Sequence, residues 1–205
     1  MKLSFILLGA FLLSPPSAHS AEEQPKYSVI ETDQKMQVRQ YDSYYVAQTV
    51  YDEADGESSG DAFRRLFRYI TGENTTNQDI EMTAPVTMSD SVEIEMTAPV
   101  TMEEKNGKKV MTFMVPSRFK KSEIPIPTDP LVEIVLVPSR LVAVHSFSWF
   151  SGEEKRSRKA LELKEWLQEN DKYLILQGPI YAGYNSPFSF PGARTHEMMF
   201  VVEEK

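Results

Sequence analysis

Apolar and polar residues alternate in short runs along most of the chain, and polar turns separate the runs. Residues 27–32, 36–41 and 43–51 are rich in aromatic and β-branched side chains, which predicts three consecutive strands. Later runs predict further strands, of which the two at 131–138 and 140–150 are expected to pair with each other. The remaining predicted strands cover 110–116, 173–185 and 195–204.

Two segments have helical rather than alternating spacing of apolar residues. The first predicted helix covers residues 61–71, with Ser59 as its N-cap and Gly72 as its stop. Its apolar face is formed by Ala62, Phe63, Leu66, Phe67 and Ile70. The second predicted helix lies within residues 151–170. Because the order strands, helix, strands occurs twice, we predict an α+β fold of two similar halves.

The segment IEMTAPVTM occurs twice, at residues 80–88 and 94–102. Apolar and polar residues alternate without a fault in each copy, which predicts two half-buried strands. The short spacer between the copies is typical of a hairpin. Pro85 and Pro99 have no amide hydrogen, so each copy needs a sheet edge or a bulge at its proline.

The N-terminus has the pattern of an export signal. A basic start is followed by the apolar run LSFILLGAFLLS and then by small residues, including Ala18 and Ser20. The run is short for a membrane span, so we predict a cleaved signal at residues 1–20 rather than an uncleaved anchor. The expected location is therefore secreted or periplasmic, and residues 21–205 form one predicted domain.

Charge and composition exclude several functional classes. The net charge of −8 argues against nucleic acid or an anionic membrane as the main partner. The absence of cysteine excludes disulfides, thiolate metal sites and thiol nucleophiles. The motifs G-x-S-x-G, H-E-x-x-H, G-x-G-x-x-G and the P-loop are also absent, so we predict a non-catalytic protein. Asn74-Thr75-Thr76 is a formal glycosylation sequon.

The predicted aromatic helix DAFRRLFRYITGEN leads directly into IEMTAPVTM. This is the most specific of several stretches that resemble the SOUL haem-binding protein family. FMVPSRF, IPIPTDPLVEI, RLVAVHSFS and PIYAGYNSPFSFPGARTHEM are similar to later blocks of the family in the same order. The resemblance covers about residues 27–203, and bacterial members often carry the MTAPV segment twice, as this chain does.

The resemblance implies a distorted antiparallel β-barrel of two βαββ-like halves, with two flanking helices. It also implies that the protein binds haem or a related tetrapyrrole in a hydrophobic groove near the first helix. Family members are binders or carriers rather than enzymes, so the resemblance implies the same for this chain. The pocket candidates are Phe63, Leu66, Phe67, Ile70, Met82 and Met88. The candidates for pairing with the haem propionates are Arg64, Arg65 and Arg68.

An iron ligand is harder to assign, because the predicted mature chain contains only two histidines, His145 and His196. Alternation with Val142 and Val144 predicts that His145 points away from their apolar face. Tyrosinate can also ligate ferric haem, and binding without a protein ligand is a further alternative. The candidate tyrosines are Tyr27, Tyr41, Tyr44 and Tyr45.

Two other functions are compatible with this sequence. The same fold could bind another hydrophobic small molecule as an effector, because a fold alone does not choose its ligand. An enzyme that modifies tetrapyrroles is the third alternative, although the sequence offers no convincing catalytic group. Neither an oligomeric state nor a protein partner is predicted.

Overall fold

The computed structural model describes residues 23–76, 91–185 and 190–205. The predicted export signal and the first copy of the repeat, with Met82 and Met88, lie outside these ranges. Neither of the two α-helices in the described ranges is long and apolar enough to cross a membrane.

Eleven strands and two α-helices occur in the described residues, at most of the predicted places. The helices are α1 (Ser59–Ile70) and α2 (Glu153–Asn170). The strands are β1 (Tyr27–Asp33), β2 (Met36–Tyr41), β3 (Tyr44–Tyr51), β4 (Asn74–Thr75), β5 (Val100–Lys105), β6 (Lys108–Met114), β7 (Ile126–Pro127), β8 (Val132–Val137), β9 (Arg140–Ser148), β10 (Tyr173–Gly183) and β11 (Thr195–Glu204).

Nine of these strands form one antiparallel sheet in the order β1-β2-β9-β11-β10-β5-β6-β3-β8, and β4 pairs with β7. The α+β class is therefore confirmed. Among the described residues, β1 pairs only with β2 and β8 only with β3. A barrel needs its two edge strands to pair with each other, so the described strands do not close into the expected distorted barrel.

The two predicted halves are visible in the strand pairing. In the first half β3 pairs with β6 and β6 with β5, while in the second β9 pairs with β11 and β11 with β10. Each half is thus a βαββ unit with the same pairing, and β5 joins β10 between them. The predicted pairing of β8 with β9 is wrong, because β8 is bonded to β3 while β9 lies between β2 and β11.

The start of α1 is fixed by a capping box, one residue before the predicted N-cap. The Ser58 hydroxyl accepts a hydrogen bond from the Asp61 amide, and the Asp61 carboxylate accepts one from the Ser58 amide. The buried face of the helix packs against β3, β6 and β8. It consists of Ala62, Arg65, Leu66, Tyr69 and Ile70.

Both helices cover the same face of the sheet. Beneath α2, the buried residues Ala160, Leu163 and Leu167 pack against side chains of the second half such as Ala143 and Phe200. Where the two halves meet, Tyr181 of β10 is the register partner of Met102 of β5, so both side chains lie on the same face. Tyr181 packs against the buried residues beneath α2, and Met102 packs against those beneath α1. Because side chains alternate between faces, the other residues of each strand lie on the face without helices.

The second copy of the repeat is a strand only in part. Val100–Met102 belongs to β5, whereas residues 94–99 lie outside the strands, contrary to the prediction. Tertiary hydrogen bonds explain the difference, since the Ile94 amide donates to the Ile70 carbonyl and the Thr97 hydroxyl donates to the Met114 carbonyl. Pro99 cannot donate to a ladder. The predicted hairpin involves residues outside the described ranges.

Asn74 is a buried anchor rather than an accessible glycosylation site. Its amide nitrogen donates to the carbonyls of Tyr69 (2.7 Å) and Val92 (2.8 Å). Its amide oxygen accepts from the Val92 amide at 3.0 Å. The side chain therefore ties the end of α1 to residue 92, and a glycan would replace one of the two amide hydrogens and so remove at least one of the donated bonds.

Replacing Asn74 with alanine should lower the free energy of unfolding by about 1–3 kcal/mol, because buried backbone groups lose their partners. Urea unfolding followed by circular dichroism measures this loss. Thr76→Ala removes the sequon but keeps the Asn74 side chain, so it should leave the stability close to that of the wild type. Equal stability of all three proteins would contradict the anchoring role.

Candidate functional site

The pocket residues predicted on α1 divide into buried and surface positions. Leu66 and Ile70 are core residues that pack against strands of the first half. Phe63 is half-buried and meets Phe113 edge-on, with ring centroids 5.2 Å apart. Phe67 is 41% exposed and stacks on Phe63 at 6.1 Å. Only the two phenylalanines therefore present an aromatic surface on α1.

Arg65 lies on the buried face of α1 and is fully engaged there. It donates to the Thr49 hydroxyl at 2.8 Å and to the Glu57 carboxylate at 2.6 Å. Asp129 adds a carboxylate oxygen 3.8 Å from the guanidinium. These contacts tie α1 to β3 and to two loops, so this arginine holds the fold together beneath the helix.

Arg64 and Arg68, in contrast, lie on the exposed side of α1. Arg64 pairs with Asp61 at 2.5 Å, one helical turn away. Arg68 pairs with Glu73 at 3.0 Å and approaches Asp129 at 3.6 Å. Surface ion pairs contribute little to stability and exchange readily for other partners. Both guanidinium groups are therefore available to an anionic ligand beside Phe63 and Phe67.

His145 lies under α2, on the face of the sheet that carries the helices. It points away from the face of Val142 and Val144, as predicted, and it is buried. Its Nδ1 atom has no hydrogen-bond partner in the described ranges and lies 3.7 Å from a Glu162 carboxylate oxygen. Burial lowers the pKa of His145, and the neighbouring Lys159 lowers it further.

Both ring nitrogens of His196 are already bonded. Nε2 donates a hydrogen bond to the Trp149 carbonyl, and Nδ1 is hydrogen-bonded to the Tyr181 hydroxyl, each at 2.8 Å. Burial lowers the pKa of His196. Both histidines belong to the second half of the fold, whereas α1 belongs to the first. No group of three or more His, Cys, Asp or Glu residues suited to a metal ion occurs in the described part of the chain.

The two buried histidines should make the protein less stable in mild acid. Because their folded-state pKa values lie below the unfolded value, their contribution to stability is fully present above about pH 6.5 and is lost as the pH falls below it. Each histidine contributes at most about 1.4 kcal/mol per pH unit to this slope. We expect urea unfolding of His145→Gln between pH 7.5 and 5 to show a shallower slope than the wild type. Equal slopes would contradict this assignment.

The face of the sheet without helices contains a cleft of about 330 Å³ that neither the α1 candidates nor the histidines line. It spans both halves of the fold. It is lined by Pro25, Tyr41, Tyr44, Val46, Gln48, Pro99, Thr101, Glu103, Lys105, Thr112, Val135, Leu136, Val137, Pro138, Arg140, Val142, Gln177, Ile180, Tyr184, Met199 and Val201. We call this space the inner cleft.

A buried polar network supports one side of the inner cleft. Arg39 and Glu197 form an ion pair at 2.9 Å, with both side chains at most 6% exposed. The Tyr184 hydroxyl donates to Glu197, and Arg39 donates to the Tyr41 hydroxyl. Burial raises the pKa of Tyr41 to about 12 and also raises that of Tyr184. Both tyrosines therefore stay protonated at neutral pH.

The inner cleft was not predicted from the sequence, although two of the tyrosines considered as iron ligands belong to it. Among the four candidate tyrosines, Tyr41 and Tyr44 line it, whereas Tyr27 packs against Arg39 outside the lining. The sequence pattern assigns no role to Arg140 or Glu197. For Glu197 a usable signal exists, because it directly precedes the apolar run MMFVV within a predicted strand.

Comparison with known proteins identifies the family. The family description "SOUL heme-binding protein" matches residues 22–201. The chain belongs to this SOUL family. It is also 30% identical over 156 residues to human heme-binding protein 2, a match that covers 74% of this chain and 70% of that protein.

Solved structures with low sequence identity share the fold of this SOUL protein. A hydrolase from Listeria innocua superposes with a TM-score of 0.54 at 9% identity, covering 84% of this chain and 94% of that one. The EcmrR C-terminal domain gives a TM-score of 0.52 at 13% identity, with 87% and 99% covered. At such identities the likeness concerns the fold alone.

Proposed function

We propose that this protein binds haem or a related tetrapyrrole as an exported, non-catalytic carrier or buffer. The observation that carries the proposal is the SOUL family match over residues 22–201. The sequence similarity to human heme-binding protein 2 also supports the proposal. Export is supported by the sequence pattern of residues 1–20. Export can be tested by measuring the intact mass of the protein secreted by a bacterial host. The secreted protein is expected to lack residues 1–20.

The proposed contact is the α1 surface, defined here as Phe63, Arg64, Phe67 and Arg68. Two stacked phenyl rings provide an apolar platform for a flat macrocycle. The guanidinium groups beside them can exchange exposed carboxylate partners for the two propionates. Leu66, Ile70 and Arg65 lie beneath this surface and hold the helix in place.

This arrangement does not depend on a histidine ligand. His145 and His196 are buried in the second half of the fold, and Tyr41 and Tyr184 keep their protons at neutral pH. We therefore expect the macrocycle to be held by apolar contact and propionate pairing. Such binding should extend to tetrapyrroles that contain another metal or none.

Titration of residues 21–205 with hemin, followed by the Soret absorbance, tests the proposal. We expect a saturable shift with one hemin bound per chain, and a similar affinity for metal-free protoporphyrin. No saturable change at micromolar hemin would overturn the proposed function. Degradation of the pigment when a reductant and oxygen are added would contradict the non-catalytic part.

A further inference from the structure

Within the described ranges, the inner cleft contains a cation without a counter-ion. Arg140 is the first residue of β9 and lines the cleft. Its Nε atom is buried, and among the described residues no hydrogen bond or ion pair to this guanidinium is found. The residue as a whole is half-buried, and a guanidinium N–H group withdrawn from water without an acceptor is unfavourable. An anion at this position would satisfy it.

The other charges of the cleft do not neutralise Arg140. Lys105 adds a second cation at an exposed position. Glu103 is the single acidic residue of the lining, and its carboxylate accepts a hydrogen bond from the Gln177 amide. Glu197, behind the tyrosines, is occupied by Arg39. The lining therefore carries excess positive charge in a chain whose net charge is −8.

The rest of the cleft is suited to an apolar group. Buried side chains from both halves contribute to its wall, among them Val46, Val142, Ile180 and Met199. The volume of about 330 Å³ lies at the lower end of the usual range for small-molecule sites, which is about 300–1,000 Å³. It therefore suits a ligand smaller than a tetrapyrrole.

We propose that the inner cleft is a second binding site, for a small amphipathic carboxylate. The carboxylate group pairs with the Arg140 guanidinium, and the apolar part lies along the wall between the two halves. This site is on the face of the sheet opposite to α1. It therefore stands whether or not the α1 surface binds haem.

Two fluorescent probes with the same aromatic body separate charge recognition from general apolar binding. The anionic probe is 8-anilinonaphthalene-1-sulfonate, whose sulfonate stands in for a carboxylate, and its neutral counterpart is N-phenyl-1-naphthylamine. We expect the anionic probe to bind with one site per chain and about 10- to 100-fold more tightly, which is the effect of a charge-assisted hydrogen bond. Equal affinities of the two probes would overturn the proposal.

Substitution of Arg140 identifies the group responsible. Arg140→Met should reduce the affinity for the anionic probe to that for the neutral one, without loss of thermal stability. Arg158→Met, which removes an exposed arginine on α2, is the matched control and should change neither affinity. An unchanged affinity for the anionic probe in Arg140→Met would overturn the proposal.

Competition identifies the ligand class and separates the two sites. Dodecanoate should displace the anionic probe, whereas dodecanol should do so at least tenfold less well. Hemin at a concentration that saturates the α1 surface should leave the probe bound. Displacement by hemin, together with a weaker hemin affinity in Arg140→Met, would show that the cleft is the tetrapyrrole site and would overturn the inference of a separate one.

Discussion

Replacing Glu197 with alanine should lower the free energy of unfolding by about 3–5 kcal/mol, because it leaves the Arg39 charge buried without its partner. Glu197 accepts two bonds from Arg39, at 2.9 and 3.2 Å, and one from the Ser146 hydroxyl at 3.0 Å. The Tyr184 hydroxyl would lose its acceptor as well. Urea unfolding followed by circular dichroism measures the change.

Two further variants separate loss of the pair from loss of any carboxylate on β11. Glu203→Ala removes an exposed carboxylate of the same strand and should change the stability by less than about 0.5 kcal/mol. The double variant Arg39→Met/Glu197→Met replaces both charges with apolar groups and should recover most of the loss. A loss below about 1 kcal/mol in Glu197→Ala would contradict the role assigned to the network.

Replacing Phe67 with glutamate should weaken hemin binding by roughly 10- to 100-fold. The substitution removes the exposed ring of the α1 surface and adds a negative charge that repels the propionates. Because Phe67 is 41% exposed, the fold should tolerate the change. The affinity is read from the Soret titration, and the stability from thermal unfolding.

Leu161→Glu is the matched control for this prediction. It places the same charge on an exposed apolar position of α2, the corresponding helix of the second half. Hemin affinity should be unchanged in this variant. Equal affinities of wild type, Phe67→Glu and Leu161→Glu would mean that the tetrapyrrole does not contact the α1 surface.

The sequence predicted the positions of the strands and helices better than it predicted which strands pair with each other. Alternation located the major described strands, and the repeated order of elements indicated the two halves. The partners of β8 and β9 could not be predicted, because the two strands are close in sequence yet extend different halves. Pairing is set by the pseudo-symmetric arrangement of the whole sheet, which local patterns do not encode.

The buried face of α1 shows a second limit of sequence patterns. The expected face included Phe63 and Phe67, whereas the core contains Arg65 and Tyr69 instead. Helical spacing allows both choices, since the two stripes are neighbours on the helix. Arg65 is buried because Glu57 and Asp129, from two different loops, supply its carboxylate partners.

The inner cleft could not be predicted from any single segment. Its wall combines alternate residues of strands that are far apart in sequence but joined through β5 and β10. The second copy of the repeat shows the same dependence on tertiary contacts, because residues 94–99 bond to the end of α1 and of β6 rather than form a strand.

Paramagnetic broadening tests the central claim, tetrapyrrole binding at the α1 surface, most directly. Hemin contains ferric iron, so adding it to 15N-labelled protein should broaden amide signals near the macrocycle, and zinc protoporphyrin provides the diamagnetic control. We predict broadening across residues 60–71, with the signals of Val142, Ile180 and Met199 in the inner cleft unaffected. Broadening centred on those cleft residues, or no broadening at all, would contradict the account.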